Sequence, residues 1–253
     1  LYIREGFNTN EIMVCFVLNG DKLKNHKHVV QTLTTKYPQI KSVVINVNKR
    51  KTNAVLGYKN FNIYNANFIN ESLEEFNFRI LPNAFFQVNT HQTEKMYNKI
   101  LDYANLNDTQ TVLDAYCGVG SITMYLARHA KHVVGIEIVP QAIKSANENK
   151  KANNIENVTF ICNDIKDEIE KYNSVNNFFD AVIVDPPRKG LETNFVDILN
   201  QFKPKTLVYV SCNPATLARD INLLNEYKVE EITPVDMFSQ TYHVECIAKL
   251  VLK

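Results

Sequence analysis

From residue 111 onward, short apolar runs alternate with amphipathic stretches. Thr111–Ala115, His132–Ile136, Val158–Cys162, Ala181–Val184 and Leu207–Ser211 are compact runs rich in β-branched residues, and most end at Gly, Asn or an acidic residue. They read as buried strands. Between them, Ser121–His129, Gln141–Asn153 and Ala215–Tyr227 place their apolar residues at helical spacing. Glu230–Thr233 and Glu245–Leu252 read as two closing strands. This order predicts an α/β fold with a mostly parallel sheet, helices on both faces and ligands at the carboxyl ends of the strands. Residues 1–80 break the pattern. Ile12–Leu18 and Ser42–Asn46 are strand-like, Val29–Tyr37 is helical, the segments are short and Asn is abundant. A small α+β lobe with antiparallel pairing is expected there, joined through a helix at His91–Ala104 to a larger domain spanning 81–253.

Composition narrows the classes. With 253 residues, 45% of them hydrophobic, the chain can bury one large core or a medium one with an appendage. A net charge of +1 disfavours a strongly basic nucleic-acid coat but leaves room for local patches. Two stand out as candidate phosphate contacts: Lys22, Lys24, His26, Lys27 and His28, and then Lys49-Arg50-Lys51. No apolar run approaches the ~18 residues of a membrane span, and no signal peptide is visible. The cysteines (15, 117, 162, 212, 246) are odd in number, dispersed and without a C-x-x-C pair. That argues against a disulfide framework or a metal site and for a reducing, cytoplasmic location.

The strand Val112–Ala115 runs into Tyr116-Cys117-Gly118-Val119-Gly120-Ser121. Gly118 and Gly120 are read as letting backbone approach a ligand closely. The third glycine of a dinucleotide fingerprint is missing, and D-x-x-x-G-x-G instead resembles the first motif of S-adenosylmethionine-dependent methyltransferases. Glu137 ends the next strand and suits the ribose hydroxyls. Asp164 ends the third, as an adenine contact or a helix N-cap. The fourth strand leads to Asp185-Pro186-Pro187-Arg188-Lys189, whose paired prolines hold Asp185 rigidly at the sheet edge. Arg188 stands where amino-directed DNA methyltransferases carry an aromatic residue, so an exocyclic amine is disfavoured as target. Arg188 and Lys189 otherwise read as solvated loop charge.

Val208–Asp220 describes a strand ending in Cys212, then a helix with Asn213 as N-cap and Pro214 at its first position. The dipole of that helix is expected to lower the thiol pKa. Carbon 5 of a pyrimidine accepts a methyl group only after a nucleophile adds at carbon 6, and a thiolate can do this. A base must then remove the carbon 5 proton. Glu245 is the candidate, with His243 as runner-up.

On Phe85-Phe86-Gln87-Val88-Asn89, Asp114–Ser121, Asp185-Pro186-Pro187-Arg188, Ser211–Asp220 and His243-Val244-Glu245, the chain resembles the RNA (uracil-5-)-methyltransferase family from about Phe78 to its end. The resemblance implies a Rossmann-like class I methyltransferase domain with a seven-stranded, mostly parallel sheet and S-adenosyl-L-methionine as cofactor. It implies Cys212 as nucleophile and Glu245 as proton acceptor. It implies Gln87, Tyr116, Ser121, Glu137 and Asp185 as cofactor contacts, with Asp164 a less constant one. The family's N-terminal OB-like RNA-binding domain and its iron–sulfur cysteines have no counterpart here. The expected partner is RNA, with 23S ribosomal RNA favoured over tRNA, and neither DNA nor membrane; the expected state is a monomer. The target nucleotide should be flipped out of its helix, and Phe85 or Phe86 can stack on a base while the other is buried. An RNA cytosine-C5 methyltransferase is disfavoured, since that class pairs two cysteines and Cys246 lies in the wrong motif. A small-molecule methyltransferase has no use for Cys212 with Glu245, and a simple RNA-binding module needs neither.

Overall fold

A computed structural model describes residues 1–174 and 179–253. The chain divides into two compact units, Leu1–Phe86 and Gln87–Lys253. The division falls six residues beyond the 80/81 boundary expected from composition.

In the first unit, β1 (Tyr2–Glu5), β2 (Ile12–Leu18), β3 (Ile40–Val47) and β4 (Lys59–Asn65) form a sheet in that order. β2 and β3 are parallel because the helix α1 (His26–Lys36) crosses between them; the other pairs are antiparallel. Val30 and Leu33 of α1 pack on Val14, Ile40, Val43 and Ile63, so the helix covers one face of the sheet. A hairpin of β5 (Ile69–Leu73) and β6 (Phe76–Ile80) follows. Its inward residues Ile69, Glu71, Leu73, Phe76, Phe78 and Ile80 alternate with partly exposed residues in β5 and exposed ones in β6, as a half-buried antiparallel pair should. Phe86 is buried against Phe78, their ring centroids 5.3 Å apart, while Phe85 is 71% exposed.

The second unit begins with α2 (Thr90–Ala104), N-capped by the Asn89 side chain, which accepts from Gln92 N. Then come β7 (Thr111–Ala115), α3 (Ser121–Ala127), β8 (His132–Glu137), α4 (Pro140–Ala152), β9 (Val158–Cys162), α5 (Ile165–Ser174), β10 (Ala181–Val184), α6 (Thr193–Phe202), β11 (Thr206–Ser211), α7 (Pro214–Leu223), β12 (Tyr227–Val235) and β13 (Glu245–Leu252). The seven strands lie in the order β12-β13-β11-β10-β7-β8-β9. β11, β10, β7, β8 and β9 are parallel, and β13 runs antiparallel between β11 and β12. The expected class I methyltransferase architecture is therefore present. The chain winds outward from β7 to β9, then returns to β10 on the other side of β7. That reversal opens a crevice at the carboxyl ends of β7 and β10.

Several elements, α5 and β4 among them, differ from the reading of the sequence, and two show why. The helix expected over Ala215–Tyr227 ends at Leu223, and Tyr227 instead opens β12, its hydroxyl donating to Pro204 O at 3.0 Å. α6 was not read from the sequence, yet its Phe195, Val196, Leu199 and Phe202 are buried at helical spacing in the main core.

Candidate active site

The carboxyl end of β7 carries the Gly-rich turn. Tyr116 adopts φ 65°, Gly118 54° and Gly120 82°. A non-glycine residue in that region is strained, and strain of this kind gathers at functional sites. The protein itself constrains the two glycines in different ways. At Gly118 the backbone angle favours glycine, and a Cβ would meet no protein atom within 4 Å. At Gly120 a Cβ would fall 2.4 Å from the Phe160 ring and 3.2 Å from Ala146 Cβ, so it is protein packing that forbids a side chain.

Glu137 Oε2 accepts from Gly118 N at 3.3 Å and Oε1 from Val139 N at 2.9 Å. The carboxylate thus ties the turn to the end of β8 while staying partly exposed. Asp164 is exposed and accepts from Lys166 N at 2.9 Å, the helix-capping role at the start of α5. Ser121 opens α3, its hydroxyl 2.7 Å from that of Tyr97. Tyr97, buried on α2 against Tyr125, is a site residue that sequence reading missed, since it looked like any apolar position of an amphipathic helix. Gln87 is half-buried just before α2.

Acid groups concentrate at this edge. Asp114 is fully buried; its Oδ2 accepts from Thr123 Oγ1 at 2.5 Å, and its Oδ1 has no hydrogen-bond partner among the described residues. Burial pushes its pKa up to about 7, against the hydrogen bonds from Thr123, with Glu137 adding to the rise. Asp185 follows β10, its N–H donating to Ala115 O at 3.4 Å. Desolvation, then the charges of Glu245 and Asp114, push its pKa up to about 8. Carboxylates crowded in this way form a site starved of positive charge, and a cationic sulfonium with an α-amino group suits it.

Cys212 comes one position after Ser211, which pairs with Cys246 across antiparallel β11 and β13. Continuing that register sets Cys212 opposite Glu245, where cross-strand Cβ atoms lie about 5 Å apart. The thiol is half-buried and faces a pocket of about 230 Å³ that it shares with Arg188, Asn213, Pro214, Tyr242 and His243. Glu245 is 5% exposed, and burial raises its pKa while Arg188 opposes the rise.

The expected low thiol pKa is not found. Burial first, then Glu245 and Asp185, push the Cys212 thiol up, and Arg188 only partly offsets them. Asn213 does cap α7, accepting from Ala215 N at 3.1 Å. Arg188 is exposed on its turn, as a solvated loop charge would be, yet its charge lowers the pKa of both Cys212 and Glu245. Its Nη2 lies 3.5 Å from His243 Nε2. His243 precedes β13 rather than sharing a strand face with Glu245, and its ring packs on Tyr242 with centroids 4.2 Å apart.

Helix α7 grips the turn that bears Arg188. Asn213 Nδ2 and Thr216 Oγ1 donate to Arg188 O at 3.3 and 3.4 Å, and Arg219 Nη2 donates to Lys189 O at 2.9 Å. Leu191 N donates to Asp220 Oδ2 at 2.8 Å, and Tyr209 OH reaches the same oxygen at 2.6 Å. Asp220 is itself buried and paired with Arg219.

A protein described as an uncharacterized RNA methyltransferase of Staphylococcus aureus (strain MSSA476) is 43% identical over 254 residues, covering all of this chain and 56% of that protein. A Bacillus cereus protein of the same description is 44% identical over 251 residues, covering 98% of this chain and 55% of its own length. The chain thus spans about half the length of these relatives. Among solved structures, the Pyrococcus abyssi tRNA (uracil-54, C5)-methyltransferase in complex with S-adenosyl-L-homocysteine superposes with a TM-score of 0.81 at 36% identity, covering 98% of this chain and 58% of that one. The family described as tRNA (Uracil-5-)-methyltransferase matches residues 7–253, and the chain belongs to it.

Proposed function

We propose that this chain is the catalytic part of an enzyme that methylates carbon 5 of a uridine in RNA, with S-adenosyl-L-methionine as methyl donor. The observation that carries the reading is a half-buried cysteine, open to a pocket, that follows Ser211 of the Ser211–Cys246 strand pair, with the buried Glu245 directly before Cys246. Both stand at the same sheet edge as the Gly118–Gly120 turn.

The cofactor, when bound, supplies an electrophilic methyl group on a positively charged sulfur. The residues to hold it are Gln87, Tyr116, Gly118, Gly120, Ser121, Glu137, Asp164 and Asp185. The Cys212 thiolate bonds to carbon 6 of the uracil, and the C5=C6 electron pair moves toward carbon 5 and the carbon 4 oxygen. Carbon 5, now nucleophilic, would take the methyl group as its bond to the donor sulfur breaks, the electron pair staying on sulfur, which becomes a neutral thioether. The Glu245 carboxylate then accepts the proton from carbon 5, the electron pair re-forms C5=C6, and the carbon 6–sulfur bond breaks to return the thiolate. Arg188 favours the charged forms of both residues. An exposed Phe85 is available to stack on an unpaired base.

RNA carrying 5-fluorouridine tests this reading. Fluorine cannot leave carbon 5 as a proton does, so with cofactor present a denaturation-resistant protein–RNA adduct should accumulate, and Cys212→Ala should abolish it. An adduct that survives Cys212→Ala refutes the assignment. Ribosomal RNA is the substrate class proposed from the sequence; the description of the Pyrococcus abyssi enzyme favours transfer RNA. Methylation mapping of total RNA from a strain lacking the gene decides between them.

A further inference from the structure

Between Asp21 and Glu71 the chain runs for 49 residues without a single Asp or Glu, while carrying eight Lys and one Arg. At the chain's average acidic content, 27 in 253, about five carboxylates would fall in that stretch. The overall charge of +1 therefore conceals a strongly basic segment inside the small unit.

The topology of that unit brings the cations to one place. β2 and β3 are parallel and finish together: Leu18 pairs with Val47, and Asn48 N donates to Leu18 O at 2.9 Å. β4 starts at the same end, with Lys59 paired to Val47. The connection from β2 to α1 and the connection from β3 to β4 thus leave the sheet at one end. The first carries Lys22 and Lys24, followed by Lys27 in the first turn of α1; the second carries Lys49, Arg50 and Lys51, and Lys59 follows it. All seven are exposed, and none forms an ion pair among the described residues. Asp21 is the one carboxylate in either connection.

The second connection is held by its own hydrogen bonds. Asn48 Nδ2 donates to Ala54 O and Val55 O at 2.7 and 3.0 Å, and Asn46 Nδ2 to Gly57 O at 2.8 Å. Arg50 Nη2 donates to Leu56 O at 2.6 Å, and its guanidinium carbon lies 4.4 Å from the centroid of the Tyr58 ring. Tyr58 is 86% exposed all the same. A flat aromatic ring backed by a guanidinium, at a sheet end that also carries unpaired lysines, is a platform for an unpaired base whose flanking phosphates need neutralising. An acidic protein surface would satisfy the cations but would leave the ring unused.

We propose that this end of the small unit's sheet is a second, non-catalytic RNA-binding surface, on which Lys22, Lys24, Lys27, Lys49, Arg50, Lys51 and Lys59 take phosphates and Tyr58 stacks on an unpaired base. The proposal rests on the reading that the substrate is RNA, and its test is separate from the test of that reading. Binding of a fluorescein-labelled RNA hairpin with an unpaired loop is followed by anisotropy over a range of salt concentrations, using the full chain without cofactor. Reversing Lys49, Arg50 and Lys51 to Glu together should weaken binding about tenfold or more, and each single neutralisation to Ala should reduce the salt slope by about 0.7–0.9. Tyr58→Ala should weaken binding about fivefold or more with the salt slope unchanged, and Tyr58→Phe should restore it. Unaltered affinity and slope in the triple reversal, with an unchanged melting temperature, overturns the proposal. So does poly-glutamate competing as well as RNA while Tyr58→Ala has no effect, because the occupant is then any polyanion. Failure of wild type to form the 5-fluorouridine adduct, with these binding effects intact, overturns the proposed chemistry and leaves this surface standing.

Discussion

At the scale of single residues, the reacting thiol and its surroundings work against each other until a cation arrives. Cys212 is held above an ordinary thiol pKa by burial and by the carboxylates of Glu245 and Asp185. A thiolate is the nucleophile, so the site without cofactor should be slow to alkylate. Iodoacetamide labelling of Cys212 across pH should give an apparent pKa above 9.0 for the free protein. Adding S-adenosyl-L-methionine should lower it, because a positive charge near the three groups favours every anion. Glu245→Gln should lower it without cofactor; an unchanged or raised value in that variant removes the electrostatic account. A second consequence concerns Asp114 and Asp185, whose pKa values are pushed up to about 7 and about 8 from 3.8. The folded state then binds more protons than the unfolded chain through this window. Stability is highest below the unfolded value and falls as pH rises through 7 to 8, by about 1.4 kcal/mol per pH unit at most for each group. Asp185 is less enclosed than Asp114 and should contribute less. Urea unfolding without cofactor should therefore show a midpoint that falls from pH 6 to pH 8.5, and Asp114→Asn should flatten the profile. Cys212 and Asp185 were legible in the sequence because each directly follows a strand, and Glu245 because it opens one. Their electrostatics were not, since Glu245 lies 33 positions from Cys212 in the chain and is brought toward it only by the Ser211–Cys246 pairing of β11 with β13.

At the scale of elements, the parallel strands could be read because each is a short apolar run closed by a residue that breaks it, as at Val158–Cys162 and Ala181–Val184. β4 was harder: Lys59–Asn65 alternates Asn with Phe, Ile and Tyr on an edge strand, and much of it is exposed. The helix at Ala215 was overextended because nothing local marks Leu224 as its end; the stop comes from Tyr227 being claimed by the core and by Pro204 O. The grip of α7 on the Arg188 turn was also invisible, because it joins side chains of one helix to carbonyls of a distant loop. Its tightest point is Gly190, with φ 77° and a hypothetical Cβ 2.4 Å from Asp220 Oδ2. Three Gly→Ala variants separate the causes. Gly190→Ala and Gly120→Ala combine left-handed backbone with a collision and should each lose about 2 kcal/mol or more. Gly118→Ala meets open space and should lose only the backbone cost of about 1–2 kcal/mol. Urea midpoints check the order. If Gly118→Ala proves the most damaging to stability, a contact beyond backbone angle governs that position.

At the scale of the whole molecule, charge is divided between the units. Residues 1–86 hold eleven Lys and Arg against six Asp and Glu, a net of +5, which leaves −4 for residues 87–253. The two ligands of the proposed reaction differ in the same sense. RNA is a polyanion that displaces counterions wherever a phosphate meets a lysine, so its affinity depends steeply on salt. S-adenosyl-L-methionine carries one net positive charge and would enter a crevice lined with buried carboxylates, where screening is weak. The two affinities should therefore respond differently to the same change. Raising monovalent salt from about 50 to about 200 mM should weaken RNA binding on the order of a hundredfold if about five phosphates are engaged. Cofactor affinity, measured by calorimetry on the same samples, should move by no more than about twofold. Acidification should reverse the pattern: from pH 8.5 to pH 6 the protonation of Asp114 and Asp185 removes the charges that attract the cofactor, while the lysines and arginines that meet RNA stay charged. A cofactor affinity that falls with salt as steeply as that of RNA would mean that its site is an exposed surface rather than the crevice between β7 and β10. RNA binding insensitive to salt would mean that the basic segment of the first unit is a solvated face with no partner.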